Sequence, residues 1–120
     1  MIYCIDIDGT ICTTLGTDYA GARPIESRIA RVNRLFDEGH EIIFFTARGS
    51  LLGVDHEALT RGQLESWGVR YTRLQMGKPA ADTYVDDRAV SDLDFFGEQD
   101  DVKGTLAVPA QLGLSQGSDE

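Results

Sequence analysis

The stretch Ile2-Tyr3-Cys4-Ile5-Asp6-Ile7-Asp8-Gly9-Thr10-Ile11 decides the fold. Residues 2–7 are almost continuously apolar and are stopped by a glycine, the pattern of a strand buried on both faces in a parallel sheet. Ligands of open parallel sheets bind beyond the carboxyl ends of the strands. Asp6 and Asp8 sit at that end, so they are the first candidates for chemistry.

Outward from this stretch, residues 12–23 carry Gly16 and Gly21 without periodicity and read as a loop. Pro24 suits a first helical turn, and Ile25, Ile29, Val32, Leu35 and Phe36 follow at helical spacing until Gly39. Residues 42–46, Ile-Ile-Phe-Phe-Thr, form a second buried strand. A weaker helical pattern runs from Leu51 to Trp67, with Gly62 inside it costing about 1 kcal/mol relative to alanine. A third strand is expected over 69–74, a short one over 83–87 ending in Asp86 and Asp87, and a last one over 105–108. Strands alternating with helices argue an α/β domain whose parallel sheet is flanked by helices. The core spans 1–109 and the polar stretch 110–120 is a frayed tail.

The composition narrows the function classes. The chain has 120 residues, about one domain, with 11 basic and 20 acidic residues and a net charge of −9. A chain of that sign is repelled by DNA and RNA, so no nucleic-acid partner is expected. No apolar run reaches the roughly 18 residues that cross a bilayer, and the N-terminus has no basic leader. No membrane partner and a cytoplasmic location follow as expectations. Two cysteines, Cys4 and Cys12, make neither a disulfide framework nor a metal-ligand spacing. Cys4, inside the first strand, is expected to be buried packing.

The polar residues that interrupt the apolar strands all fall at carboxyl ends: Asp6 and Asp8, Thr46, Lys78, then Asp86 and Asp87. Carboxylates gathered at one edge repel each other unless a cation neutralises them, and a hard cation with oxygen ligands, Mg²⁺, fits that need. Lys78 and Thr46 add donors for a phosphoryl group, and the N–H groups of Gly9 and Thr10 add more. In Asp6-x-Asp8 one carboxylate can attack phosphorus while the other moves protons.

These residues carry a resemblance. Asp6-Ile7-Asp8-Gly9-Thr10 resembles the first motif of the haloacid dehalogenase superfamily, Phe44-Phe45-Thr46 its second, Lys78 its third and Val85-Asp86-Asp87 its fourth, in the family's order. The resemblance implies a single Rossmann-like domain and a Mg²⁺-dependent phosphomonoester hydrolase acting through an aspartyl-phosphate. Asp6 would be the nucleophile and Asp8 the general acid/base with its main-chain carbonyl on the metal. Thr46 and the N–H of Ala47 would bind phosphoryl, with Lys78 countering charge on it and on Asp6; Asp86 would be a direct metal ligand with Asp6, and Asp87 either a further ligand or a partner of one. Residues 11–24 and 47–77 leave no room for a cap domain. Capless members act on large substrates, or on small ones with a neighbouring subunit over the site, so a homo-oligomer is expected. The run from Met76 to Ala89, with Thr46-Ala47-Arg48-Gly49, is similar to short members associated with bacterial surface-polysaccharide synthesis, which favours a sugar phosphate. Arg48 is a candidate substrate contact. A phosphotransferase with an acceptor other than water, a phospholigand-binding protein and a phospho-receiver domain are the competing readings. The receiver reading suffers from Leu74-Gln75, which puts no Asp after the third strand.

Overall fold

A computed structural model describes residues 1–49 and 56–97. The chain divides into two compact units, Met1–Tyr84 and Val85–Glu120, so a boundary falls inside the stretch that the sequence reads as one core. The expected strand over 105–108, the tail, and the start of the second helix lie outside the described residues.

The first unit is an α/β structure. Its strands are β1 (Ile2–Ile5), β2 (Cys12–Thr13), β3 (Arg23–Pro24), β4 (Glu41–Thr46) and β5 (Arg73–Met76), with helices α1 (Glu26–Asp37) and α2 (His56–Ser66). A three-stranded parallel sheet has the order β1-β4-β5. Its register sets Ile5 beside Phe44 and Thr46 beside Met76. The carboxyl ends of all three strands therefore lie along one edge.

β4 is the centre of this sheet, and Ile42, Ile43, Phe44 and Thr46 are all buried. α1 turns Ile29, Val32 and Leu35 inward at the spacing of one helical face. Gly39, at φ +98, ends it as expected from the sequence. A pair of polar contacts fixes α1 to the turn after α2. Asn33 Nδ2 donates to the Gly68 carbonyl at 2.9 Å, and its Oδ1 accepts from the Arg70 N–H at 2.7 Å.

Several expectations are corrected. β1 is not buried on both faces: Ile5 is buried while Ile2 and Cys4 are exposed. Among the described residues β1 pairs on one side only, with β4, and such a strand alternates rather than burying every side chain. Pro24 does not open α1. It lies in β3, paired with Cys12 in a two-stranded antiparallel ribbon, where its missing N–H has no ladder to break. Part of the predicted 12–23 loop is thus ordered by pairing. The third strand lies at 73–76 rather than 69–74: the Val69 N–H donates back to Leu64 O, and at Thr72 the Ile42 N–H donates to the threonine hydroxyl instead of a main-chain carbonyl. Trp67 is half-buried rather than core.

Residues 83–84 and 85–87 form no strand. Val85 is 95% exposed, so no burial favours an extended ladder there. Tyr84 folds back on its own loop, donating its hydroxyl to the Pro79 carbonyl and accepting from the Ala81 N–H. In the second unit, the described part holds one short helix, α3 (Asp92–Phe96). Ser91 caps it by accepting from the Asp94 N–H at 3.2 Å, and Gly97 closes it at φ +66.

Candidate functional site

The turn after β1 places two carboxylates in succession and gives them different surroundings. Residues 7–12 form a tight knot. Thr10 N–H and Ile11 N–H both donate to the Ile7 carbonyl, and Gly9, at φ +80, donates its N–H to Cys12 O at 2.9 Å. Only glycine tolerates that backbone conformation without strain. Arg28 of α1 is buried and donates to the Thr10 carbonyl at 3.0 Å, holding the knot from the helix side. This corrects the expectation that the N–H groups of Gly9 and Thr10 are open to phosphoryl, because closing so tight a turn uses both internally.

Asp6 extends beyond the sheet edge with about a third of its side chain exposed, and Lys78 Nζ lies 3.6 Å from its Oδ1. Burial pushes the Asp6 carboxyl above its usual range, and the Lys78 charge only partly opposes this. Lys78 is placed by two contacts. Its N–H donates to the Thr46 carbonyl at 3.0 Å, tying the end of β4 to the loop after β5. Its ammonium lies 4.3 Å from the centre of the Tyr84 ring, a cation–π contact.

Asp8 is held far more firmly. Arg48 donates from Nε to Oδ2 at 2.9 Å and from Nη2 to Oδ1 at 2.8 Å, a two-pronged charge-assisted pair. Thr14 adds a 2.6 Å hydrogen bond to Oδ1, and the Cys12 thiol reaches the same oxygen at 3.7 Å. Burial alone raises the Asp8 carboxyl, but the hydrogen bonds from Arg48 and Thr14 and the guanidinium charge outweigh it and leave it below the usual range. Burial pushes the Cys12 thiol up to about 11, so it stays protonated at neutral pH and acts as a donor.

Thr46 is fully buried, and its Oγ1 accepts from the Arg48 N–H at 3.1 Å, which shapes the turn after β4. Ala47 sits in this turn, half-buried. Arg48, expected as a substrate contact, has its guanidinium turned inward onto Asp8.

The first unit thus brings together Asp6, Asp8, Thr46, Arg48 and Lys78. Asp86 and Asp87 belong to the second unit, where both are exposed and Asp86 Oδ1 accepts from the Arg88 N–H at 2.7 Å. Among the described residues no group of three or more His, Cys, Asp or Glu side chains is arranged to hold a metal ion. The under-compensated, part-exposed Asp6 carboxylate fits a hard cation as a ligand. The Asp8 side chain does not, since both of its oxygens already have donors. Sequence reasoning missed Thr14, Thr60, Gln63 and Tyr19, whose roles depend on loop and helix residues meeting in space. The only signal was the position of Thr14 within the loop that follows the acid pair.

Comparison with known proteins supports the fold. The crystal structure of an MCSG target from Vibrio cholerae superposes with a TM-score of 0.71 at 25% sequence identity, covering 88% of this chain and 94% of that one. No family model matches the chain, and no curated protein matches it. Among the described residues no helix is long and apolar enough to cross a membrane.

Proposed function

We propose that this protein is a phosphomonoester hydrolase that works through Asp6, on a Rossmann-like core of the haloacid dehalogenase type. The observation that carries the reading is the convergence of Asp6, Asp8, Thr46 and Lys78 at the carboxyl edge of one parallel sheet, with two neighbouring carboxylates in opposite electrostatic settings. Paired acids whose surroundings push them apart take different roles in a reaction.

In this reading an Asp6 carboxylate oxygen attacks phosphorus and the bond from phosphorus to the ester oxygen breaks. Lys78 lies beside Asp6 and balances charge on the transferring group. Thr46, which the resemblance assigns to phosphoryl binding, is fully buried and acts here by shaping the turn after β4 through its Oγ1, which accepts the Arg48 N–H. Asp8 supplies the leaving oxygen with a proton, then takes one from the water that attacks the aspartyl-phosphate, releasing phosphate and restoring Asp6. Because its carboxyl lies below the usual range, Asp8 enters as a carboxylate. Its acid role in the first half therefore needs a proton that arrives with the substrate, whereas its base role needs nothing added.

Within the first unit, Mg²⁺ would be held by Asp6 and the Asp8 main-chain carbonyl. When bound it offsets the repulsion between the Asp6 carboxylate and the phosphate dianion. The substrate class favoured by the sequence is a small sugar phosphate, taken up in the cytoplasm by a site that a second subunit covers. Phosphate release from a panel of sugar phosphates and an aryl phosphate, with and without Mg²⁺, tests the reading. Release that needs Mg²⁺ and disappears in Asp6→Asn supports it. Undiminished release by a folded Asp6→Asn protein refutes it.

A further inference from the structure

We propose that Arg48 is a positioning residue that fixes the orientation of the Asp8 carboxylate, and that it does not contact substrate. The proposal rests on the phosphohydrolase reading for its catalytic meaning, while the contact it invokes stands on geometry.

Arg48 is 1% exposed, so its guanidinium lies inside the protein although it follows the site-edge Thr46 by only two residues. Every nitrogen of its planar head has an acceptor. Nε and Nη2 take the two oxygens of Asp8. Nη1 donates to Thr60 Oγ1 at 3.1 Å and to Gln63 Oε1. These acceptors are themselves held: Thr60 donates to the His56 carbonyl one turn back in α2, and Gln63 Nε2 donates to the Tyr19 carbonyl. The Tyr19 ring packs against the guanidinium at 4.9 Å, and the His56 ring meets Tyr19 edge-on at 5.1 Å. Contacts from α2 and from the 3-10 turn Tyr19–Gly21 therefore lock the orientation of Arg48, and through it that of Asp8.

The fork leaves the two oxygens of Asp8 unequal. Oδ1 receives Arg48 Nη2 and Thr14 Oγ1, whereas Oδ2 receives Arg48 Nε alone among the described residues. A carboxylate oxygen has about two lone-pair sites. Arg48 and Thr14 together fill the sites of Oδ1, which holds the carboxylate plane in one orientation. A lysine at position 48 would keep the charge and lose the fork. An arginine so enclosed cannot reach a substrate phosphate without abandoning a buried partner.

The test has two arms. The first is steady-state hydrolysis of an aryl phosphate by wild type, Arg48→Lys, and Arg48→Ala with and without added guanidinium. Misplacing a catalytic group by about 1 Å costs on the order of 10²-fold. We expect kcat to fall by about that factor in both variants, KM to stay within about twofold, and guanidinium to restore part of the Arg48→Ala rate. A raised KM with kcat retained would make Arg48 a substrate contact and overturn the proposal.

The second arm needs no turnover and does not depend on the Arg48→Ala protein folding. The Nε–Hε resonance of Arg48, assigned by its loss in Arg48→Lys, should exchange slowly with water in wild type and in Asp6→Asn, and become fast in Asp8→Asn. Fast exchange in the wild type overturns the proposal whatever the activity. Slow exchange in an enzyme that releases no phosphate upholds the Arg48–Asp8 fork and refutes the hydrolase reading instead.

Discussion

Replacing Asp8 by Asn and Asp6 by Asn should move stability in opposite directions, although the two carboxylates are two residues apart. Asp8 is the counter-charge to a guanidinium whose side chain is fully buried, and its own side chain is 26% exposed. Removing one partner of a buried pair costs about 3–5 kcal/mol because the other charge is left uncompensated. The part-exposure of Asp8, and the amide oxygen that Asn keeps as an acceptor, place Asp8→Asn just below that range, at about 2.5 kcal/mol. With a urea slope of roughly 1.5 kcal/mol per molar for a domain of this size, the midpoint should fall by about 1.7 M.

Asp6 behaves otherwise. Its carboxyl is raised by burial, so its ionisation costs the folded state something that Lys78 at 3.6 Å does not recover. Its side chain is 36% exposed, and solvent screening reduces the effect. Asp6→Asn should therefore raise the midpoint in metal-free buffer by a small amount. The pH dependence separates the two further. Asp8 is lowered, so its contribution is present above the unfolded value near 3.9 and fades as pH falls through the still lower folded value. The Asp8→Asn penalty should shrink below about pH 4. Asp6 is raised, so the Asp6→Asn gain should be present above its folded value and vanish below the unfolded one. Urea melts at about pH 7 and about pH 3.5 provide both comparisons. Equal shifts of the same sign at neutral pH would refute the assignment of unlike environments.

Other outcomes follow from the same geometry. Chelation with EDTA should abolish phosphate release and added Mg²⁺ restore it; release that persists through dialysis against chelator would count against a metal-dependent step. Iodoacetamide at about pH 7.5 should label exposed Cys4 well before Cys12, which is buried with its thiol raised to about 11, and peptide mapping that finds Cys12 first would contradict the packing of the turn. Asp37→Asn removes an exposed pair with Arg70, 55% and 49% exposed, and should not move the urea midpoint measurably. Thr14→Val removes the 2.6 Å donor to Asp8 and should lower kcat by roughly tenfold without altering KM, a loss of about 1.4 kcal/mol that fits one charge-assisted hydrogen bond.

The sheet and the edge that bears the acids were legible because both depend on local pattern. Apolar runs of four to six residues ended by polar groups mark β1 and β4, and the parallel register then aligns their carboxyl ends. The exposure of Cys4 was not legible, since an edge and a central strand can share one apolar run. Nor was the β2–β3 ribbon, in which two-residue strands carry no period. The site divided in the same way. Asp6, Asp8, Thr46 and Lys78 stand at strand ends and show themselves. Arg48 looked like a substrate contact because it follows Thr46, whereas its direction depends on Thr60, Gln63 and Tyr19, which meet it only in three dimensions. The closed hydrogen bonding of Gly9 and Thr10 was hidden for a related reason: a Gly-Thr turn has the same sequence whether its N–H groups face a ligand or each other.

The most direct test is to trap the covalent intermediate. A radiolabelled phosphate ester mixed with enzyme and Mg²⁺ for milliseconds and quenched in acid should leave label on the protein. That label should be acid-stable, released by hydroxylamine, located on the peptide containing Asp6 and absent in Asp6→Asn. A protein that releases phosphate from the same ester while carrying no such label, or that carries it equally in Asp6→Asn, would contradict the account.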